Sequence, residues 1–174
     1  KKKTVNLNSR FKPNNSYAKF RVEAHNYMLK SKKKYKSNIV TAILFNHDSK
    51  FRKKKFLIPR LVKIIKKKEI KKLRSIYKEN ISGDFSHAED ICNGLYKLLL
   101  LKSCPDKLIF SSNKRTYMNK IINHLIKINK FKIKLNTNNL KNTFTPVGDN
   151  KITKKILNWK QKKNIYTAAR ELNK

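Results

Sequence analysis

The 174-residue chain carries 45 Lys+Arg against 10 Asp+Glu, a formal net charge of +35 at pH 7, with 39% hydrophobic residues. A compact fold with that excess repels itself, so a polyanionic partner is expected, and the core is expected to be small. No apolar run reaches the roughly 20 residues that span a bilayer, and two cysteines, Cys92 and Cys104, exclude a disulfide-rich secreted scaffold.

Part of the lysine excess is ascribed to A+T-rich coding, because Asn, Ile and Tyr are abundant while there are only 3 Gly and 4 Pro. Such drift does not explain the scarcity of acids. The polyanion reading therefore stands after that discount.

Residues 1–15 combine basic and Asn-rich polarity with Pro13 and no apolar period, which predicts an extended basic arm. A start at Lys1-Lys2-Lys3 without Met is expected of a trimmed or processed chain, with room for an upstream targeting segment. From Ser16, the residues Tyr17, Phe20, Ala24, Tyr27 and Met28 recur at helical spacing, which predicts a helix of about four turns. It runs into Lys32-Lys33-Lys34-Tyr35-Lys36, where no apolar stripe remains. Residues 39–45 (IVTAILF) are β-branched and bounded by Asn38 and Asn46-His47-Asp48-Ser49; they read equally as a strand or a short buried helix.

After the charge run Arg52-Lys53-Lys54-Lys55, Pro59 stands where a first helical turn tolerates it. Ile58, Leu61, Val62, Ile65, Ile70, Leu73, Ile76 and Tyr77 continue in register, which predicts a helix across residues 59–77. Its opposite face presents Arg60, Lys63, Lys66, Lys67, Lys68, Lys71, Lys72 and Arg74. Gly83 and Asp84 end it, and Ser86-His87-Ala88-Glu89 matches a capping box. Ala88, Ile91, Cys92, Leu95, Leu98 and Leu99 follow as a lysine-poor core helix closing near Ser103. Another helix is predicted after Ser111-Ser112-Asn113, with Tyr117, Met118, Ile121, Ile122, Leu125 and Ile128 on one side. Residues 131–135 (FKIKL) alternate as a short strand, residues 136–150 form a polar loop, and residues 151–174 are helical with a weak point near Lys162-Lys163-Asn164.

The expected fold class is mainly α: a small helical domain with at most a short strand pair and basic extended arms. Its parts are an arm (1–15), a helical core (16–135), a polar loop (136–150) and a basic C-terminal helix (151–174).

Three scattered glycines supply neither a P-loop nor a G-x-G-x-x-G turn. Cys92, Cys104, His87 and His124 lack paired metal-ligand spacing. No metal, cofactor or small-molecule substrate is expected. Asp84, Glu89 and Asp90 beside His87 are the one grouping that a metal-dependent nuclease could use, but acids at a helix start also offset its dipole. His25, His47 and His124 fit no triad, and Cys92 reads as a small core residue.

Basic surface remains, and its physics is phosphate neutralisation with counterion release. The expected RNA contacts are Lys32, Lys33, Lys34 and Lys36 with Tyr35 as a stacking residue, then Arg52, Lys53, Lys54 and Lys55. They continue with Arg60, Lys63, Lys66, Lys67, Lys68, Lys71, Lys72 and Arg74, and end with Lys154, Lys155, Lys160, Lys162 and Lys163. No DNA-reading module is evident. The expectation is a non-catalytic rRNA-binding component of a ribosome, mitochondrial or in another organelle, touching neighbouring ribosomal proteins and not inserted in membrane. The alternatives are a metal-dependent nuclease or RNA-processing protein, and an accessory subunit of an organellar membrane complex.

Overall fold

Strands and helices alternate along the computed structural model, which describes residues 4–174; Lys1, Lys2 and Lys3 of the expected basic arm lie outside the described residues. The order is β1 (Thr4–Val5), α1 (Ser16–Tyr35), β2 (Thr41–Leu44), β3 (Asn46–Asp48), α2 (Leu57–Lys66), α3 (Ile70–Glu79) and β4 (Ser82–His87). It continues with α4 (Ala88–Leu99), β5 (Lys107–Phe110), β6 (Arg115–Tyr117), α5 (Met118–Ile128), β7 (Val147–Gly148), α6 (Lys151–Leu157) and α7 (Ile165–Asn173).

This is an α/β fold, which corrects the mainly α expectation. β1 pairs with β7, β2 with β5 and β3 with β4, each in parallel, while β6 adds to β4 antiparallel. Parallel neighbours require a crossover connection, so strands distant in sequence are brought together: Thr41 lies opposite Lys107 and Leu44 opposite Phe110. Local periodicity could not show this. β4 is SGDFSH, with Ser82, Asp84, Ser86 and His87 all buried. Its buried polar side chains hydrogen-bond to other elements, and so it carries no alternating apolar signal.

Two apolar clusters hold the helices. One joins α2, α3, α5 and α7 through Ile58, Leu61, Ile65, Leu73, Ile121 and Ala168. The other packs α4 and the α6 end on β5 through Ile91, Leu98, Leu108, Phe110, Leu157 and Trp159. Trp159 donates its indole N–H to the Asp90 carbonyl at 2.8 Å and meets Phe110 edge-on.

Several local readings change. The helix expected across residues 59–77 divides at Lys67-Lys68-Glu69, because Lys68 adopts φ 52 and ends α2 before α3 begins. Gly83 and Asp84 lie in a strand. The capping box is replaced by His87, whose ring Nδ1 accepts from the Glu89 N–H at 3.2 Å while Ser86 stays in β4. Cys92 is exposed, not in the core. Residues 131–135 form no strand and pack Phe131, Ile133 and Leu135 against the larger cluster. The helix with Cys92 ends at Leu99, and within residues 39–45 strand β2 forms at Thr41–Leu44.

Asp84 ties these pieces together. Fully buried, its carboxylate accepts backbone N–H groups from Ser112 (2.6 Å), Asn113 (3.1 Å) and Gly148 (3.3 Å). Burial pushes its carboxyl above the ordinary range, and those donors pull the other way. Asp84→Ala strands three backbone donors, that of Gly148 fully buried, and is expected to destabilise the fold by roughly 3 kcal/mol in urea unfolding. Gly94 gives a second check: an added Cβ would sit 2.6 Å from Phe110 Cε1 and 3.1 Å from Trp159 Cε2. Gly94→Ala should destabilise by about 1–3 kcal/mol, against the helix propensity that favours alanine.

Candidate functional site

The N-terminus of α1 is set by Asn15, whose side-chain oxygen accepts the Ala18 N–H at 2.8 Å. From there Tyr17, Arg21 and His25 fall at successive i, i+4 positions and share one helix face. His25 is buried, and its ring Nδ1 lies 2.7 Å from Thr41 Oγ1, which pins the helix to β2. The Phe11 ring meets His25 edge-on at 5.3 Å. Burial holds the His25 pKa below the ordinary imidazole range; Lys107 lowers it further and Asp106 opposes.

This face and β2 enclose a cavity of about 520 Å³ reached by Tyr17, Arg21 and Val22 from the helix and by Thr41, Ala42, Ile43 and Leu44 from the strand. All β2 residues line it although alternate side chains point to opposite faces, so the cavity runs along the strand edge. That edge is open: among the described residues β2 pairs only with β5. Tyr17 is 74% exposed and its hydroxyl is a group that can give or take a proton.

Beyond β2 the chain turns into β3, where the Asn46 side-chain NH₂ donates to the Asp84 carbonyl at 3.1 Å. Asp48 is 8% exposed, with Arg52 Nε at 3.6 Å from its carboxylate, and the Arg52 guanidinium lies 3.6 Å from the Phe56 ring centroid. Burial raises the Asp48 pKa to about 6; Arg52 and His47 offset part of that cost.

The residues expected to contact RNA lie on several faces. Lys32 is engaged with the Cys104 carbonyl and Asp106. Lys33, Lys34, Tyr35 and Lys36 are exposed at the end of α1, with the Lys34 ammonium over the Tyr35 ring. Arg52 belongs to the Asp48 pair, and Lys53, Lys54 and Lys55 occupy the adjoining exposed segment. Arg60 and Lys63 share a groove with Lys72, which pairs with Glu69. Lys66, Lys67, Lys68, Lys71 and Arg74 are exposed around the α2–α3 junction. Lys154, Lys160, Lys162 and Lys163 converge on a second cleft; Lys155 is exposed beside them. The acidic grouping is dispersed: Asp84 holds backbone amides, Asp90 accepts the Lys162 and Lys163 N–H groups, and Glu89 pairs with Lys163.

Residues 1–172 match the family model described as GDP-mannose 4,6 dehydratase. The chain belongs to that family. No curated protein sequence matches it. The fold resembles RMD from Pseudomonas aeruginosa complexed with NADPH, at TM-score 0.76 and 17% identity over 98% of this chain and 58% of that one. It also resembles UDP-glucuronic acid 4-epimerase from Bacillus cereus in complex with UDP-glucuronic acid and NAD, at TM-score 0.79 and 14% identity over 99% and 56%. A third likeness is dTDP-glucose 4,6-dehydratase from Bacillus anthracis in complex with NAD, at TM-score 0.73 and 13% identity over 98% and 57%. The chain thus spans little more than half the length of these structures.

The family match overturns the expectation of a non-catalytic ribosomal component with rRNA and ribosomal proteins as partners, and with it the exclusion of a small-molecule substrate. Lysine-rich composition was read as a partner, when it describes the surface. The nuclease and membrane-complex alternatives fall with it; among the described residues no helix is long and apolar enough to cross a membrane. Tyr17 lies on the apolar period expected of the helix from Ser16, yet that face is exposed at Tyr17.

The family's dinucleotide raises a test of fit. A pyrophosphate cradle needs glycines that let backbone approach the anion. Here a Cβ on Gly83 would meet Thr145, on Gly94 Phe110 and Trp159, and on Gly148 Phe45, Ser111 and Ile109, and none has positive φ. Every glycine faces protein. These residues do not form the dinucleotide cradle.

A pH dependence follows from Asp48. Its folded pKa lies above the unfolded value near 4, so the folded state holds the extra proton and stability falls as pH rises from about 4 to about 6. The decline due to this group is on the order of 3 kcal/mol. Urea midpoints across that range should show it, and Asp48→Asn should flatten it.

Proposed function

We propose that this chain forms the sugar-nucleotide side of an NAD(P)-dependent nucleotide-sugar dehydratase or epimerase, with Tyr17 moving a proton at a sugar hydroxyl. The observation that carries this reading is the match to the GDP-mannose 4,6 dehydratase family across residues 1–172. Among the structures it resembles is a tyrosine-to-phenylalanine mutant of the Bacillus cereus epimerase in complex with UDP-4-deoxy-4-fluoro-glucuronic acid and NAD. A tyrosine hydroxyl is thus a fitting group to seek here, and Tyr17 presents one at the mouth of the α1–β2 cavity.

The roles of the chain's own residues follow from position. Tyr17 donates or accepts the proton. Arg21, one turn further on the same face, places a fixed cation beside the phenol and any developing oxyanion. The His25–Thr41 contact holds the helix against β2, so that the phenol keeps its place relative to the strand.

The dinucleotide belongs to another half of the enzyme, seated on the open edge of β2. Parallel sheets are normally covered on both faces and extended by further strands, and among the described residues this pair stops at an unpaired edge. Beside it α1 exposes Tyr17 and Phe20, with Tyr27 and Met28 further along. An exposed aromatic stripe next to an open parallel edge suits a strand and helix from a dinucleotide-binding half.

The test is turnover of GDP-mannose and of UDP-glucuronic acid with NAD or NADP, the chain being joined to its dinucleotide-binding half. Tyr17→Phe should lower turnover about 10²–10⁴-fold while nucleotide-sugar affinity is retained. Undiminished turnover in that variant would remove Tyr17 from the chemistry, and absence of turnover with every nucleotide sugar would remove the proposed activity.

A further inference from the structure

We propose that the cleft between the β5–β6 turn and the α6–α7 loop binds a small anion carrying adjacent phosphates. The proposal is independent of the reaction assigned above, since the cleft shares no lining residue with the α1–β2 cavity.

The cleft encloses about 670 Å³, within the size range of small-molecule sites. Lys114 enters from the β5–β6 turn, Lys154 from α6, and Lys160, Lys162 and Lys163 from the α6–α7 loop; no carboxylate lines it. Among the described residues Lys163 pairs with Glu89 and Glu171, whereas Lys114, Lys154, Lys160 and Lys162 form no salt bridge. Lysines from three elements thus line one space, four of them without a salt-bridge partner among the described residues.

The arrangement is built, not a chance crowding of flexible side chains. Buried Asp90 accepts the Lys162 N–H at 3.0 Å and the Lys163 N–H at 2.8 Å, and its carbonyl accepts the Trp159 indole N–H. These bonds fix the backbone of the loop that carries three of the lysines. Ser86, buried at the cleft wall, and Gln161 add polar groups.

The chemistry of the ligand follows from the charge count. A single phosphate would leave most of the lysines unanswered, and a carboxylate more so. Two or three linked phosphates spread their charge across the three elements. The apolar wall of Phe85, Trp159, Ile165 and Tyr166 leaves room for an organic group attached to them. The shared chemistry is therefore a polyphosphate, free or esterified to a nucleoside.

The full chain is titrated calorimetrically with tripolyphosphate and with ATP at physiological salt. The expected result is saturable binding of a single ligand per chain. The combined Lys114→Gln, Lys154→Gln, Lys160→Gln and Lys162→Gln variant should weaken it roughly tenfold or more, and the same positions changed to Arg should restore it. A matched variant, Lys66→Gln, Lys67→Gln, Lys68→Gln and Lys71→Gln, removes equal charge from the α2–α3 junction and should retain the affinity. Tighter binding of ATP would assign a nucleoside ester and tighter binding of tripolyphosphate the free anion; both support the site. Non-saturable uptake, or equal weakening by the two glutamine variants, overturns it.

Discussion

The buried carboxylate of Asp84 is the interaction on which the arrangement of strands depends. It lies in β4 and gathers amides from the turn after β5 and from β7, segments that sequence order keeps far apart. Desolvating a carboxylate is costly unless hydrogen bonds answer it, and here three peptide donors do so. Beside it the Asn46 side chain closes on the Asp84 carbonyl, so β3 is drawn to the same point. Asp90 repeats the device at the start of α4, anchoring the loop that leads into α7. Of only 10 acids in the chain, Asp48, Asp84 and Asp90 are buried, which leaves fewer carboxylates to answer the surface lysines.

That arrangement also determines where chemistry is possible. Parallel pairing of β2 with β5 leaves the other edge of β2 facing outward, and the His25–Thr41 contact lays α1 beside it. Tyr17 and Arg21 then overlook a cavity bounded by strand edge and helix. The glycines needed for a dinucleotide are absent because each of the three is consumed by internal packing. The proposed function rests on this arrangement: it takes these residues to address the sugar nucleotide and a dinucleotide-binding half to hold the cofactor.

Helices with an unbroken apolar face were legible in the sequence. Residues of α4, α5 and α7 keep their period, and each helix buries most of it, with Cys92 and Leu99 of α4 left exposed. The α2–α3 break was hidden because the turn at Lys68 uses a left-handed lysine instead of glycine or proline, leaving no punctuation to read. β4 was hidden because its inward residues are polar and satisfied by distant backbone. The exposure of Tyr17, Phe20 and Tyr27 was hidden because aromatic residues on a helical period suggest a core-facing stripe, whereas α1 leaves that stripe exposed. The basic cleft was half legible: the lysines of residues 154–163 were singled out, but their convergence with Lys114 depends on the Asp90 anchor across 72 residues of chain.

The central claim is that the α1–β2 cavity receives a nucleotide sugar. Photo-crosslinking with an azido-sugar analogue of GDP-mannose, followed by peptide mapping of the chain joined to its dinucleotide-binding half, tests it most directly. The account predicts labelling of peptides covering residues 11–25 and 41–44, suppressed by excess unlabelled GDP-mannose. Labelling confined to other segments, or unaffected by competitor, would contradict it.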